Sequence, residues 1–189
     1  MGARMGQIRP CQPVKLIFGV ITGVPDLLEE VYGRLSGRFG QIDYTSPLLS
    51  FEHTTYYEAE MGKGLHRQFL SFETLVPPDE LSSTKLYSNA VEQELSQADS
   101  KSRRVNLDPG YVSSSKLVLA STKDHAHRIY LQRGIYAEIT LRFHGKTFHA
   151  WEWTYPDYQT QVYINIFNHI RGIYMAQIRA SGVGTGRIQ

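Results

Sequence analysis

The run Val14–Thr22 constrains the fold more than any other stretch of the chain. It reads VKLIFGVIT and is apolar at nearly every position, with Val, Ile and Phe prominent. A strand with one wet face would alternate apolar and polar residues, whereas a continuous apolar run favours a strand covered on both faces. We therefore predict a central strand in a sheet that has packing partners on either side.

The rest of the chain divides into helical and extended patterns. Helices are predicted over residues 25–37, 78–96 and 158–179, the last amphipathic, because apolar residues recur there at helical spacing. Further strands are predicted at residues 41–45, 54–58, 67–74 and 104–107. The first half thus runs strand, helix, strands, helix, strand, which is the order of a ferredoxin-like layer.

These elements predict an α+β fold with a mostly antiparallel sheet and packed helices. A chain of 189 residues suits a single domain. We place that domain at residues 14–179, between a flexible N-terminus over residues 1–13 and a flexible tail over residues 180–189. The lone Cys11 excludes an internal disulfide, and no apolar run reaches the ~18 residues of a membrane span. We expect a soluble, cytoplasmic protein.

A polar-faced hairpin is the clearest feature of the second half. Strands are predicted at residues 127–131 and 135–143, joined by a three-residue turn at 132–134 with glycine in the left-handed position. Alternation puts Ile135, Ala137, Ile139, Leu141 and Phe143 on one face and Tyr136, Glu138, Thr140 and Arg142 on the other. Register from the turn sets Leu131 opposite Ile135, Tyr130 opposite Tyr136 and Arg128 opposite Glu138. Such a face is either a solvated surface or the lining of a cleft.

Two neighbouring segments are interpreted from their turn and capping residues. Asp108, Pro109 and Gly110 are typical of a turn. Residues 113–123 begin with three serines and contain leucines and alanine, which favours a short helix with a serine cap. Residues 153–157 are interpreted as a rigid aromatic loop.

The candidate site is assembled from this second half. An anion needs cations, polar groups held in place and walls that exclude water. The candidate catalytic residues are Glu138 and Asp108. The candidate ligand-binding residues are Asn106, Lys116, Lys123, Arg128, Tyr130, Trp153, Tyr155 and Asp157.

Metal and nucleotide motifs are incomplete. His125 and His127 lie two residues apart on a predicted strand and are weak metal candidates, but the sequence fixes no third ligand. Gly145-Lys146-Thr147 resembles the end of a phosphate-binding loop, yet Thr140 stands where that motif needs its first glycine. No cofactor is therefore assigned.

Several long motifs are similar to one known family. The segments VNLDPGY, KLVLASTKDHAHRIYL, GIYAEITL and WTYPDY occur in this order, together with KLIFGV and YYEAEMGKGLHRQFLSFE. Over about residues 12–178 the chain resembles a bacterial family catalogued as domain of unknown function 4416. The resemblance implies a bacterial, soluble protein of one structural unit and supplies no activity.

Two function classes follow from the residues. The first is an enzyme or binding domain for a small anionic ligand, phosphorylated or carboxylated, held in a cleft lined by Lys, Arg, Asp and Glu. The second is a non-catalytic module that binds RNA or a protein through the basic, aromatic second half. A net charge of +2 does not by itself indicate nucleic acid. Neither class involves a membrane, and the oligomeric state stays open.

Overall fold

The computed structural model describes residues 10–51, 58–96 and 103–182. The described elements in chain order are β1 (Val14–Thr22), α1 (Leu28–Phe39), β2 (Ile42–Thr45), β3 (Leu49–Ser50), α2 (Glu58–Met61), β4 (His66–Val76), α3 (Leu81–Glu94), β5 (Val105–Val112), β6 (Lys116–Ser121), β7 (Ile129–Gln132), β8 (Ile135–His144), β9 (Thr147–Ala150) and α4 (Gln161–Ala180). Single 3₁₀ turns at Pro25–Leu27, Pro78–Glu80 and Pro156–Gln159 precede α1, α3 and α4.

Some predictions fall on residues outside these ranges. The strand predicted at 54–58 lies outside them except for Glu58, which begins helix α2 instead. Most of the two ends predicted to be flexible, residues 1–9 and 183–189, also lies outside them.

The strands form one antiparallel sheet in the order β2-β4-β1-β5-β6-β8-β7, with β3 also on β4 and β9 also on β8. The first four positions in this order have the connections of a ferredoxin-like layer, so that prediction is confirmed. Strand β1 lies between β4 and β5, and all nine of its residues are buried. The central strand predicted from its apolar run is therefore confirmed.

Helices cover both faces of the sheet. On one face, Val31 and Leu35 of α1 and Val91 of α3 pack against Phe18 of β1. On the other face, α4 contributes Tyr163, Ile166, Phe167 and Ile170 to a cluster with Ile17, Phe69 and Leu141. The three long helices predicted from periodicity are confirmed, and their observed ends differ by a few residues. No helix among the described residues is long and apolar enough to cross a membrane.

Residues 113–123 do not form the predicted helix. They contain a tight turn followed by strand β6, which pairs with both β5 and β8. The Ser113 hydroxyl accepts hydrogen bonds from the backbone amides of Ser115 and Lys116, at 3.4 and 3.2 Å. A serine that accepts from amides two and three residues ahead caps a helix or closes a turn equally well, so the cap signal was ambiguous.

The predicted Asp108-Pro109-Gly110 turn is wrong, because all three residues lie inside strand β5. They pair with Gly19, Phe18 and Ile17 of β1. Gly110 is required by close approach: a Cβ atom there would lie 2.4 Å from the Val118 carbonyl oxygen. Its role is to let β6 come close to β5, and no reversal of the chain occurs.

The hairpin differs from its predicted register in two places. The turn consists of Arg133 and Gly134, both left-handed with φ of 53° and 77°, and Gln132 pairs with Ile135. Tyr130 still pairs with Tyr136, because an irregularity at Leu131 absorbs the extra residue. An irregular register between β6 and β8 also interrupts the alternation near Thr140. Leu141 and Phe143 therefore pack with α4, whereas Ile135 and Ala137 pack on the α3 side.

Candidate functional site

A cleft of about 750 Å³ lies where strands β5 and β6 part. Strand β5 pairs with β1 from Val105 onward, but it pairs with β6 only from Gly110 to Val112. The cleft walls come from both faces of the sheet, since α3 lines one side and the turn Pro156–Gln159 lines the other. The charged residues that line the cleft are Glu60, Arg67, Lys85, Glu92, Arg103, Asp108, Lys123, Arg128, Glu138 and Asp157.

Pro109 explains why the ladder between β5 and β6 stops. Backbone polar groups of a strand point alternately to its two edges, so Leu107 and Pro109 share the edge away from β1. Proline has no backbone N–H and cannot continue the ladder there. Side chains of helix α3 form the hydrogen bonds at this edge instead. Glu92 accepts a hydrogen bond from Leu107 N at 2.6 Å, and Lys85 donates to Leu107 O at 2.8 Å. The space left by the missing strand is the cleft.

Arg67 lies at the inner end of the cleft with its side chain only 3% exposed. Its guanidinium forms ion pairs with Asp108 at 3.2 Å and Asp157 at 3.5 Å. It crosses the sheet over Gly19, where a Cβ atom would lie 2.6 Å from its Nη1. Phe51, Phe69 and Tyr158 surround it, with ring centroids 5.1–5.7 Å from the guanidinium carbon. A glycine in the central strand thus makes room for a buried cation.

The environment of Arg67 shifts the protonation of its neighbours. Burial acts to lower the pKa of Arg67, but Tyr158, Asp108 and Asp157 more than offset it, so the guanidinium stays charged. Burial raises the pKa of Asp157 above its ordinary value even though Arg67 opposes the shift. Burial also raises the pKa of Tyr158 and brings the pKa of Tyr163 to about 12. Asp157 consequently holds a proton to a higher pH than an ordinary aspartate does.

Arg103 and Glu92 form a second charged group along the α3 wall. Arg103 donates to the Asn106 side-chain oxygen at 2.8 Å and to Glu92 at 3.3 Å. It also pairs with Glu60 at 2.6 Å. Burial raises the pKa of Glu92, although Lys85 opposes this shift. Because Arg103 holds the carbonyl end of Asn106, the orientation of that amide is fixed.

Arg128 and Glu138 form a buried ion pair at 2.9 Å, each side chain only 3% exposed. Their position on one face of the hairpin was predicted. Arg128 also donates to Ser121 Oγ at 2.7 Å, to the Lys123 carbonyl oxygen at 3.1 Å and to the Tyr155 hydroxyl at 3.0 Å. Glu138 additionally contacts His127 Nε2 at 3.0 Å. Most hydrogen-bond donors of Arg128 are therefore already bonded to residues of the cleft wall.

A family model described as a domain of unknown function (DUF4416) matches residues 12–174. The chain belongs to the DUF4416 family. No curated protein and no solved structure matches it.

Of the ten residues assigned to the site from the sequence, seven line the cleft of this DUF4416 chain: Asn106, Asp108, Lys123, Arg128, Glu138, Tyr155 and Asp157. Three lie elsewhere. Lys116 pairs with Arg142 at the start of β6, and Tyr130 is 57% exposed on edge strand β7. Trp153 does not line the cleft either, and its Nε1 donates to the Ile139 carbonyl oxygen at 3.1 Å.

Several cleft residues were not assigned to the site from the sequence: Arg67, Lys85, Glu92, Arg103 and Tyr158. Arg67 and Lys85 look like ordinary surface cations within a strand and a helix. The available signal was Gly19, since a glycine inside a buried apolar strand marks a close approach. What approaches it could not be read from a single chain, because β4 and β1 are far apart in sequence.

His125 and His127 belong to a column of stacked planar groups beside the cleft. The rings of His125 and His127 stack at 5.8 Å, His127 and Trp153 at 5.5 Å, and Trp153 and Trp151 at 5.1 Å. Arg142 covers Trp151 at 4.7 Å. In the described part of the chain, no group of three His, Cys, Asp or Glu side chains is arranged to hold a metal ion.

Proposed function

We propose that the cleft binds a small anionic ligand, phosphorylated or carboxylated, and that its carboxyl groups exchange protons with that ligand. One observation carries this proposal. Seven residues chosen from the sequence for this chemistry line one cleft together with the buried Arg67. A volume of about 750 Å³ is in the range of small-molecule sites.

The charged groups have different roles in this proposal. Arg128 is a positioning residue, because Glu138, Ser121 and Tyr155 already engage it. Lys123 follows β6 at the mouth, is exposed, and supplies mobile positive charge. Asp108 and Asp157 share Arg67 at the inner end, and burial lets Asp157 hold a proton that it can pass to the ligand.

A binding screen with a matched lysine control tests the proposal. Inorganic phosphate, nucleotides and small carboxylates are titrated into the parent, Lys123→Ala and Lys116→Ala by calorimetry. We expect at least one of them to bind the parent, and Lys123→Ala to weaken it about tenfold. Lys116→Ala removes the same charge outside the cleft and should bind as the parent does.

Two results of this screen would contradict the proposal. One is the absence of binding by the parent to every compound of the panel. The other is an equal loss in Lys116→Ala and Lys123→Ala, since that would report only the net charge of the protein.

A second candidate is the non-catalytic interaction module, and strand β7 favours it. Ile129 is 68% exposed and Tyr130 57% exposed on this strand, which ends the sheet. Uncharged, exposed edge strands are typical pairing sites for another chain. Under this alternative, Ile129→Lys abolishes a complex with a protein partner or RNA and leaves anion binding in the cleft unchanged. Loss of anion binding in that variant would remove the distinction between the two surfaces.

A further inference from the structure

Three buried hydrogen-bond donors near the inner end of the cleft have no acceptor among the described residues. They are Arg67 Nε, Asn106 Nδ2 and the Tyr158 hydroxyl. Buried donors without an acceptor are rare, because each one costs free energy comparable to a lost hydrogen bond. Three of them on residues that line one cleft point to an acceptor that arrives with a ligand.

The fold brings these three residues together. Arg67 of β4 and Asn106 of β5 both pair with Ile21 of the intervening strand β1, so their side chains leave the same face of the sheet. Tyr158 reaches this place from the turn before α4, and a Cβ atom on Gly19 would lie 3.4 Å from its hydroxyl oxygen. The amide of Asn106 presents its nitrogen as the spare group, since its oxygen accepts from Arg103.

The surrounding charge selects among acceptors. Asp108 balances the charge of Arg67 when Asp157 holds a proton, which the raised pKa of Asp157 favours. A second negative charge on the ligand would then meet Asp108 at close range with no cation to offset it. A phosphate dianion is therefore poorly suited to the inner end. A carboxylate brings a single charge and two oxygens, which between them can accept from three donors.

The remainder of the wall is partly apolar. Leu119 and Ala120 of β6 and Phe51 line the cleft beside the charged residues. These side chains suit carbon atoms of a ligand whose acid group points inward.

We propose, resting on the proposed function, that the inner end takes the carboxylate of a small organic acid with an apolar body. Its oxygens accept hydrogen bonds from Arg67 Nε, Asn106 Nδ2 and the Tyr158 hydroxyl. The carboxylate group points to the inner end of the cleft, and the apolar body of the ligand lies along Leu119 and Ala120. Lys123 then acts from the mouth through its positive charge and does not contact the acid group.

Three probes that share one ring test the charge and shape of the acid group. Benzoate, phenyl phosphate and benzamide are titrated into the parent by ligand-observed NMR. Benzoate is expected to bind more tightly than either of the others. Tighter binding of phenyl phosphate or benzamide would overturn the assignment of a carboxylate.

Two conservative variants test the donors. Tyr158→Phe removes only the hydroxyl, and Asn106→Leu removes the amide at similar volume. Each is expected to weaken benzoate binding about tenfold or more, because hydrogen bonds to a charged acceptor are strong. Tyr174→Phe removes a buried tyrosine hydroxyl outside the cleft, one that donates to the Pro13 carbonyl oxygen at 3.0 Å, and should bind benzoate as the parent does.

The outcomes separate this inference from the proposed function. If the parent binds an anion of either panel and both cleft variants bind it equally well, the inference fails and the proposed function stands. If the parent binds no anion at all, the proposed function fails and this inference fails with it. Circular dichroism of each variant confirms that weak binding does not reflect unfolding.

Discussion

At the scale of single residues, Gly19 controls whether Arg67 can lie inside the molecule. Gly19→Ala would put a Cβ atom 2.6 Å from Arg67 Nη1 and 3.3 Å from Phe69 Cε1. We expect a loss of about 1–3 kcal/mol in the free energy of unfolding, together with loss of anion binding. Urea denaturation and the benzoate titration measure the two effects.

Gly33 in α1 provides the control, because a Cβ atom there meets nothing within 4 Å. Gly33→Ala should stabilise the helix by roughly 0.5–1 kcal/mol. An equal effect of both alanines would mean that Gly19 is not required by close approach.

A second residue-scale prediction concerns the pH dependence of stability. The pKa of Asp157 is raised in the folded state, so the folded protein holds this proton more tightly than the unfolded chain. The stability it contributes is complete below the unfolded value of about 3.9 and is lost as the pH rises through the folded value. Asp157→Asn should therefore lose less stability than the parent as the pH rises from about 4 through the folded value.

Urea denaturation across this pH range measures both slopes. Glu92, whose pKa burial also raises, is present in both proteins, so the difference between the slopes isolates Asp157. Parallel curves for the two proteins would contradict the prediction.

At the scale of elements, the short ladder between β5 and β6 depends on Gly110. Gly110→Ala would put a Cβ atom 2.4 Å from the Val118 carbonyl oxygen, which is backbone and cannot swing away. We expect the two strands to separate at a cost of about 1–3 kcal/mol or more in the free energy of unfolding, measured by urea denaturation. Gly172→Ala in α4, where a Cβ atom meets nothing within 4 Å, should instead be neutral or stabilising. Similar losses in both variants would contradict this account.

The elements also separate what the sequence could predict from what it could not. Long periodic patterns such as those of β1, α1 and α4 reflect burial of a whole face, and this property is visible locally. The predictions for the segments around Pro109 and Ser113 were wrong because proline, glycine and serine have the same local conformational and hydrogen-bonding properties in a turn and at the edge of a strand. Contacts with residues far away in the chain decide between a turn and a strand. For these segments they are the hydrogen bond from Lys85 of α3 to Leu107 and the pairing of β6 with β5.

In the candidate site, too, contacts between residues close in sequence could be predicted and contacts between distant ones could not. The pair Arg128 and Glu138 could be predicted because Arg128 directly precedes β7, and a short turn joins β7 to β8, which carries Glu138. Arg67 could not, since its partners Asp108 and Asp157 are 41 and 90 residues away in the chain.

At the scale of the whole molecule, α4 joins the two parts of the sheet that the cleft separates. Phe167 is fully buried and packs its ring 4.9 Å from Phe69 of β4 and 5.7 Å from Tyr158. The same cluster contains Leu117 and Leu141 from the other part. Phe167→Ala should cost about 3–5 kcal/mol while unfolding remains a single transition.

Two probes with different coverage check this prediction. Far-UV circular dichroism follows the whole chain. Tryptophan fluorescence reports only on the part that contains β6 to β9, because both tryptophans, Trp151 and Trp153, directly follow β9. Coincident denaturation curves by the two probes are expected for the parent and the variant. Separate transitions would show that the two parts unfold independently.

The stacked column beside the cleft gives the protein an optical reporter of its own. The two indole rings of Trp151 and Trp153 are nearly parallel, with centroids 5.1 Å apart. Trp153 lies against His127, and the imidazole of His127 contacts the carboxylate that Arg128 holds. We expect a ligand that displaces this carboxylate to move the imidazole and so to alter the indole emission. Events inside the cleft can therefore be followed by fluorescence without attaching a label.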